Sequence, residues 1–117
     1  MEAKAMTREQ LLRLHQMLCN EAQSLMKVKN HDYSGGKDAQ DPFLNFTRVE
    51  KLGITDTERG FMVRMTDKMS RLITHLDNKT YAVKDESFKD TILDLINYSI
   101  LMYAYVNRKK GDYEEKQ

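Results

Sequence analysis

Covalent cross-links, kinked helices and membrane spans all need residues that this chain has in short supply. Of its 117 residues one is cysteine, Cys19, which excludes an intramolecular disulfide framework and a zinc site built from cysteines of one chain. One proline, Pro42, and five glycines leave long stretches with nothing to break a helix. Tryptophan is missing, and eight methionines supply unbranched, adaptable filling for a core. No apolar run approaches the roughly 20 residues that span a bilayer. The charged start, MEAKAMTREQ, does not read as a secretory signal. An excess of one charge is missing too. The 19 basic and 18 acidic residues give a net charge of +1, so no global field recruits nucleic acid or an anionic membrane. The expectation is an all-α protein of a reducing cytoplasm, with one domain over 1–111 and a polar tail over 112–117.

What is present is helical periodicity. Thr7-Arg8-Glu9-Gln10 reads as a capping box, after which Leu11, Leu14, Leu18, Ala22, Leu25 and Met26 recur at three- and four-residue spacing. A first long helix is therefore expected from Thr7 to about Lys29. The run NHDYSGGKDAQDP, Asn30 to Pro42, reads as a loop, with Pro42 free to open the next helix. FLNFTRVEKL, Phe43 to Leu52, is a short helix with Phe43, Phe46 and Val49 inward and Gly53 closing it. A second capping box, Thr55 to Glu58, starts a helix to about Leu76 with the stripe Phe61, Met65, Met69, Leu72, Ile73 and Leu76. After a turn over Asp77 to Lys84, where Thr80 to Val83 is the one short strand candidate, a last helix runs from Asp85 to Lys109. The architecture expected is a small bundle of about four helices, oligomeric because several helices are apolar on more than one face.

Chemistry points first to that last helix. At about 100° per residue, Glu86, Asp90 and Asp94 fall in one quadrant and Asn97 joins them. The rest of the helix is apolar nearly all round, and like charges one turn apart repel, so a cation is a natural way to satisfy three carboxylates. Mg²⁺, a hard ion with oxygen ligands, fits such a set. A plainer reading stands beside it. Acids in the first turns complement the helix dipole, and Asp94 pairs with a lysine or arginine. In RMTDKMSRL, Arg64, Asp67 and Arg71 share a face with Lys68 at its edge. Asp67 then offers a further metal ligand, while Arg64, Lys68 and Arg71 offer phosphate contacts. Its plain counterpart is a solvated face tied by Asp67–Arg71 spacing. In the segment KVKNHDYSGGKD, Tyr33 offers a stacking ring and Lys29 a phosphate contact, with no phosphate-loop motif. His31 has no second histidine at ligand spacing, and Cys19 reads as core.

Taken in order, K-x-x-D-Y (Lys29, Asp32, Tyr33), D-P-F-x-x-F (Asp41 to Phe46), R-M-x-D-K-x-x-R-L (Arg64 to Leu72) and D-E-S-x-x-D-T-x-x-D-L-x-N-Y (Asp85 to Tyr98) resemble a phage-enriched family called nucleotide modification associated domain 1. That family is similar to the MazG-like, all-α nucleoside triphosphate pyrophosphatases. The resemblance implies a helical oligomer, in a bacterial or phage-infected cell, that acts on a nucleotide. By it, Mg²⁺ is held by carboxylates from two helices, and a standard or modified nucleoside triphosphate is cut between its α- and β-phosphates. Carried over, Asp94 matches the metal-binding aspartate of the last helix, with Glu86 and Asp90 beside it as ligands or base. The E-E-x-x-E of those enzymes' earlier helix is absent here, and Thr91 stands three residues before Asp94 where an acid is expected. An alternative is therefore a non-catalytic nucleotide binder, for example a phage protein sequestering a signalling nucleotide of host defence. A helical adaptor for a partner protein is the third reading.

Overall fold

In a computed structural model the described residues are 5–33, 41–81 and 87–109, with the side chains of 30–33 and 109 outside the description. They form four helices and no strand: α1 (Arg8–Tyr33), α2 (Leu44–Lys51), α3 (Thr57–Asn78) and α4 (Ser87–Lys109). Residues 82–86 and 110–117, and with them the Asp85 start, Glu86 and the polar tail, lie outside the described residues.

Local signals explain each boundary. At α1 the capping box closes in both directions: Gln10 N–H donates to Thr7 Oγ1 at 3.1 Å and Thr7 N–H donates to Gln10 Oε1 at 2.9 Å. The helix then runs one turn past Lys29, so Tyr33 stands on a helix rather than in a loop. Pro42 stays in the turn before α2, where Asp41 Oδ1 accepts the Phe43 N–H at 2.9 Å. Gly53, at φ +75°, ends α2 as expected. Its N–H bonds the Glu50 carbonyl at 3.0 Å and that of Ile54 bonds the Val49 carbonyl at 2.9 Å, which is a Schellman closure. The α3 cap differs from expectation by one residue. Asp56, not Thr55, accepts the N–H of Arg59 at 2.7 Å. Thr57 is buried instead, its N–H and hydroxyl both donating to Glu50 Oε1 at 2.9 and 3.1 Å. Gly60 lets α2 approach α3: a Cβ there would stand 2.9 Å from Val49 Cγ2.

One aromatic core joins α2, α3 and α4. Phe61 has no exposed surface, and its ring stacks on Phe46 at 4.6 Å. Tyr98 meets Phe46 edge-on at 6.2 Å, and Tyr105 meets Phe43 at 5.4 Å. Met26, Met65 and Met102 fill in around these rings. Against α1, Ala22 is small enough for Asn97 to reach its carbonyl, with Nδ2 donating at 2.9 Å. The apolar stripes are only partly inward. Leu11 on α1, and Met69, Ile73 and Leu76 on α3, are more than half exposed. No helix among the described residues is long and apolar enough to cross a membrane.

Candidate functional site

The helix crossing puts three charged side chains from three helices at one point. Asp94 of α4, next to buried Leu93, receives Lys29 Nζ of α1 on Oδ1 at 2.9 Å and Lys68 Nζ of α3 on Oδ2 at 3.0 Å. The Asp94 and Lys68 side chains are only 13% and 12% exposed, so both charges are largely withdrawn from water. Burial pushes the Asp94 carboxyl up, but the hydrogen bonds and charges of Lys29 and Lys68 outweigh it and hold the group below its ordinary value. Two cations on one anion leave this cluster with a net positive charge.

Beside the cluster, α3 and α4 enclose an open hollow of about 320 Å³, the lower end of small-molecule site volumes. Asp94 and Asp90 line it from α4, one turn apart, together with the hydroxyls of Ser87 and Thr91. Across from them α3 contributes Arg71, Thr74 and His75. Asp90 is exposed and has no ion pair among the described residues. His75 contacts both ends of the connection between the helices: Nδ1 is 2.7 Å from Thr80 Oγ1 and Nε2 is 3.4 Å from Ser87 Oγ.

Of the residues singled out in the sequence, Asp90, Asp94 and Arg71 share this hollow, and Lys29 and Lys68 reach it through Asp94. The others stand apart. Asp67 pairs with Arg71 at 3.4 Å with both side chains about 60% exposed, the ordinary surface arrangement. Arg64 lies over the Phe46 ring at 4.7 Å and hydrogen-bonds the Asn45 carbonyl at 3.4 Å. Asn97 is buried in the α1–α4 contact. The side chains of Tyr33 and Glu86 lie outside the described residues. Conversely, Thr74, His75, Ser87 and Thr91 line the hollow without having been singled out as site residues from sequence, Thr91 having been noted only as standing where an acid was expected. One signal was available for His75: it stands seven residues after Lys68, two turns on the same face.

For a metal, the donor set is all oxygen but small. Among the described residues no group of three or more histidine, cysteine, aspartate or glutamate side chains stands close enough to hold an ion. Two carboxylates one turn apart do not cage Ca²⁺, but they fit Mg²⁺, which keeps its waters and is commonly bound through one or two carboxylates plus substrate phosphates. Comparison with protein-family models, with curated proteins and with solved structures gives no match for this chain.

Proposed function

We propose that this chain acts on a nucleotide, taking the phosphates of a standard or modified nucleoside triphosphate into the hollow between α3 and α4 in the manner of MazG-like pyrophosphohydrolases. The observation that carries this reading is the Lys29–Asp94–Lys68 cluster. It is a part-buried, net positive group from three helices, opening beside the carboxylate Asp90. Phosphate oxygens offer the lysines a replacement for Asp94, and Arg71 at the rim adds a planar donor pair. Released from the lysines, Asp94 faces the same space as Asp90, and the two would hold Mg²⁺ arriving with the phosphates. When bound, the ion neutralises charge on the transferring phosphoryl group and acidifies a water.

A second reading has its own observation. Both Asp94 oxygens are already held by ammonium groups, which suits a protein that binds a nucleotide without cutting it. A thermal-shift panel of nucleotides with and without Mg²⁺, followed by assay of pyrophosphate, separates the readings. The enzyme releases pyrophosphate only with Mg²⁺, whereas the binder, including a phage protein that sequesters a signal, returns its ligand intact. At 100-fold excess over Kd a ligand adds about 2.7 kcal/mol, well within detection. A melting temperature unmoved by every nucleotide would leave the helical adaptor as the better account.

We also infer a homo-oligomer. Met62, Met69, Ile73 and Leu76 of α3 and Leu11, Leu12 and Met17 of α1 are about half exposed or more, an uncovered apolar surface beyond what a small monomer carries.

A further inference from the structure

We propose that His75 contacts the bound phosphate, as a protonatable donor held in position by Thr80. The proposal rests on the phosphate-binding reading of the hollow and adds to it a residue and a pH dependence.

Lys68, Arg71 and His75 stand at i, i+3 and i+7 on α3 and so project from one side of it, toward α4. The first meets Asp94 and the other two line the hollow. His75 thus continues the side of α3 that carries Lys68 and Arg71 toward the first residue of α4. The contacts around the ring hold its two edges unequally. Nδ1 and Thr80 Oγ1 share a hydrogen bond of 2.7 Å, and the Thr80 hydroxyl also lies 3.5 Å from the His75 carbonyl. The backbone N–H of Thr80 bonds the same carbonyl at 2.9 Å and fixes the threonine. On the other edge Nε2 stands 3.4 Å from Ser87 Oγ. That contact is long for an oxygen donor, so Nε2 is the loosely held half of the imidazole.

Among the described residues the charges sharing the hollow are Arg71 and Lys68 from α3, Asp90 and Asp94 from α4, and Lys29 from α1 through Asp94, and no α2 residue lines it. A phosphate added here favours the imidazolium, because a nearby anion stabilises the charged form. The ring then takes up one proton from solvent, and in the imidazolium the Nε2–H donates a charge-assisted hydrogen bond to a phosphate oxygen. Histidine is the side chain able to do this between about pH 5 and 8.

The test uses inorganic tripolyphosphate without Mg²⁺, titrated calorimetrically into the full chain between pH 6 and 8, at neutral pH in two buffers of different ionisation heat. Wild-type protein takes up protons on binding beyond those accounted for by the ligand, and binds roughly tenfold more tightly at pH 6 than at pH 8 relative to His75→Gln, the size expected of one charge-assisted contact. Thr80→Val keeps the imidazole but loses its orientation, and it weakens binding at pH 6 more than at pH 8. If His75→Gln lowers the melting temperature yet keeps the wild-type pH slope, the residue is structural and the proposal is overturned. If that variant does not fold, the wild-type proton count decides alone, and no excess uptake overturns the proposal. Binding that is pH-insensitive removes only the role of His75. Absence of any tripolyphosphate binding removes the phosphate reading as well.

Discussion

At Asp94 two opposing effects meet: burial raises the carboxyl's pKa, and the Lys29 and Lys68 ammoniums pull it down further, so that it ends below the ordinary aspartate value. A carboxyl that is more acidic folded than unfolded binds fewer protons in the native state. Its contribution is therefore complete above the unfolded value near pH 4 and is lost as pH falls through the folded one. Asp94→Asn leaves two ammoniums facing an amide, one of them on the nearly buried Lys68, and is expected to cost roughly 2–4 kcal/mol in urea denaturation at pH 7. The gap between variant and wild type closes on acidification toward pH 3. A variant as stable as wild type at pH 7 would show that the ion pairs do not hold α1, α3 and α4 together. The alternatives for Asp94 were both legible in the sequence, because an aspartate between Leu93 and Leu95 must be satisfied by something. Which lysines satisfy it was not, since Lys29 and Lys68 come from helices whose crossing no local pattern encodes.

Among the elements, the end of α3 is the place where geometry and residue type disagree. Lys79 adopts φ +56°, a left-handed conformation that suits glycine, while its N–H and that of Thr80 close onto Leu76 and His75. Lys79→Gly is expected to raise stability by about 0.5–1 kcal/mol, read as a higher denaturation midpoint at unchanged slope. An unchanged or lower midpoint would mean that the lysine side chain contributes something its backbone conformation conceals. Boundaries set by partners three residues apart were readable in advance, as with Thr7 and Gln10. The α3 start was misplaced by one residue because Thr55 and Asp56 both make good caps. Asp56 takes the role, with Arg59 both bonding its carboxylate and keeping it acidic. Of the stripe Phe61, Met65, Met69, Leu72, Ile73 and Leu76 only part is inward: Phe61 is buried, whereas Met69, Ile73 and Leu76 are more than half exposed, because periodicity does not say whether the cover comes from the same chain.

For the molecule as a whole, half-exposed apolar residues on α1 and α3 lead to the expectation that sedimentation at micromolar concentration gives a mass at least twice 13.8 kDa. A monomer under those conditions would remove the oligomer from the proposed function.

The methionines carry a chemical consequence of the same surface. Met26, Met65 and Met102 pack against the aromatic core, whereas Met6, Met17, Met62 and Met69 face outward on the single chain. Peroxide converts accessible thioethers to polar sulfoxides, so the order in which these seven residues oxidise is a map of what is covered in solution. In a monomer Met62 and Met69 age as fast as Met6. In an assembly built on α3 they lag behind it, and once oxidised they turn an adhesive stripe into a polar one. If the proposed assembly forms, dissociated chains are the ones damaged first and least able to return.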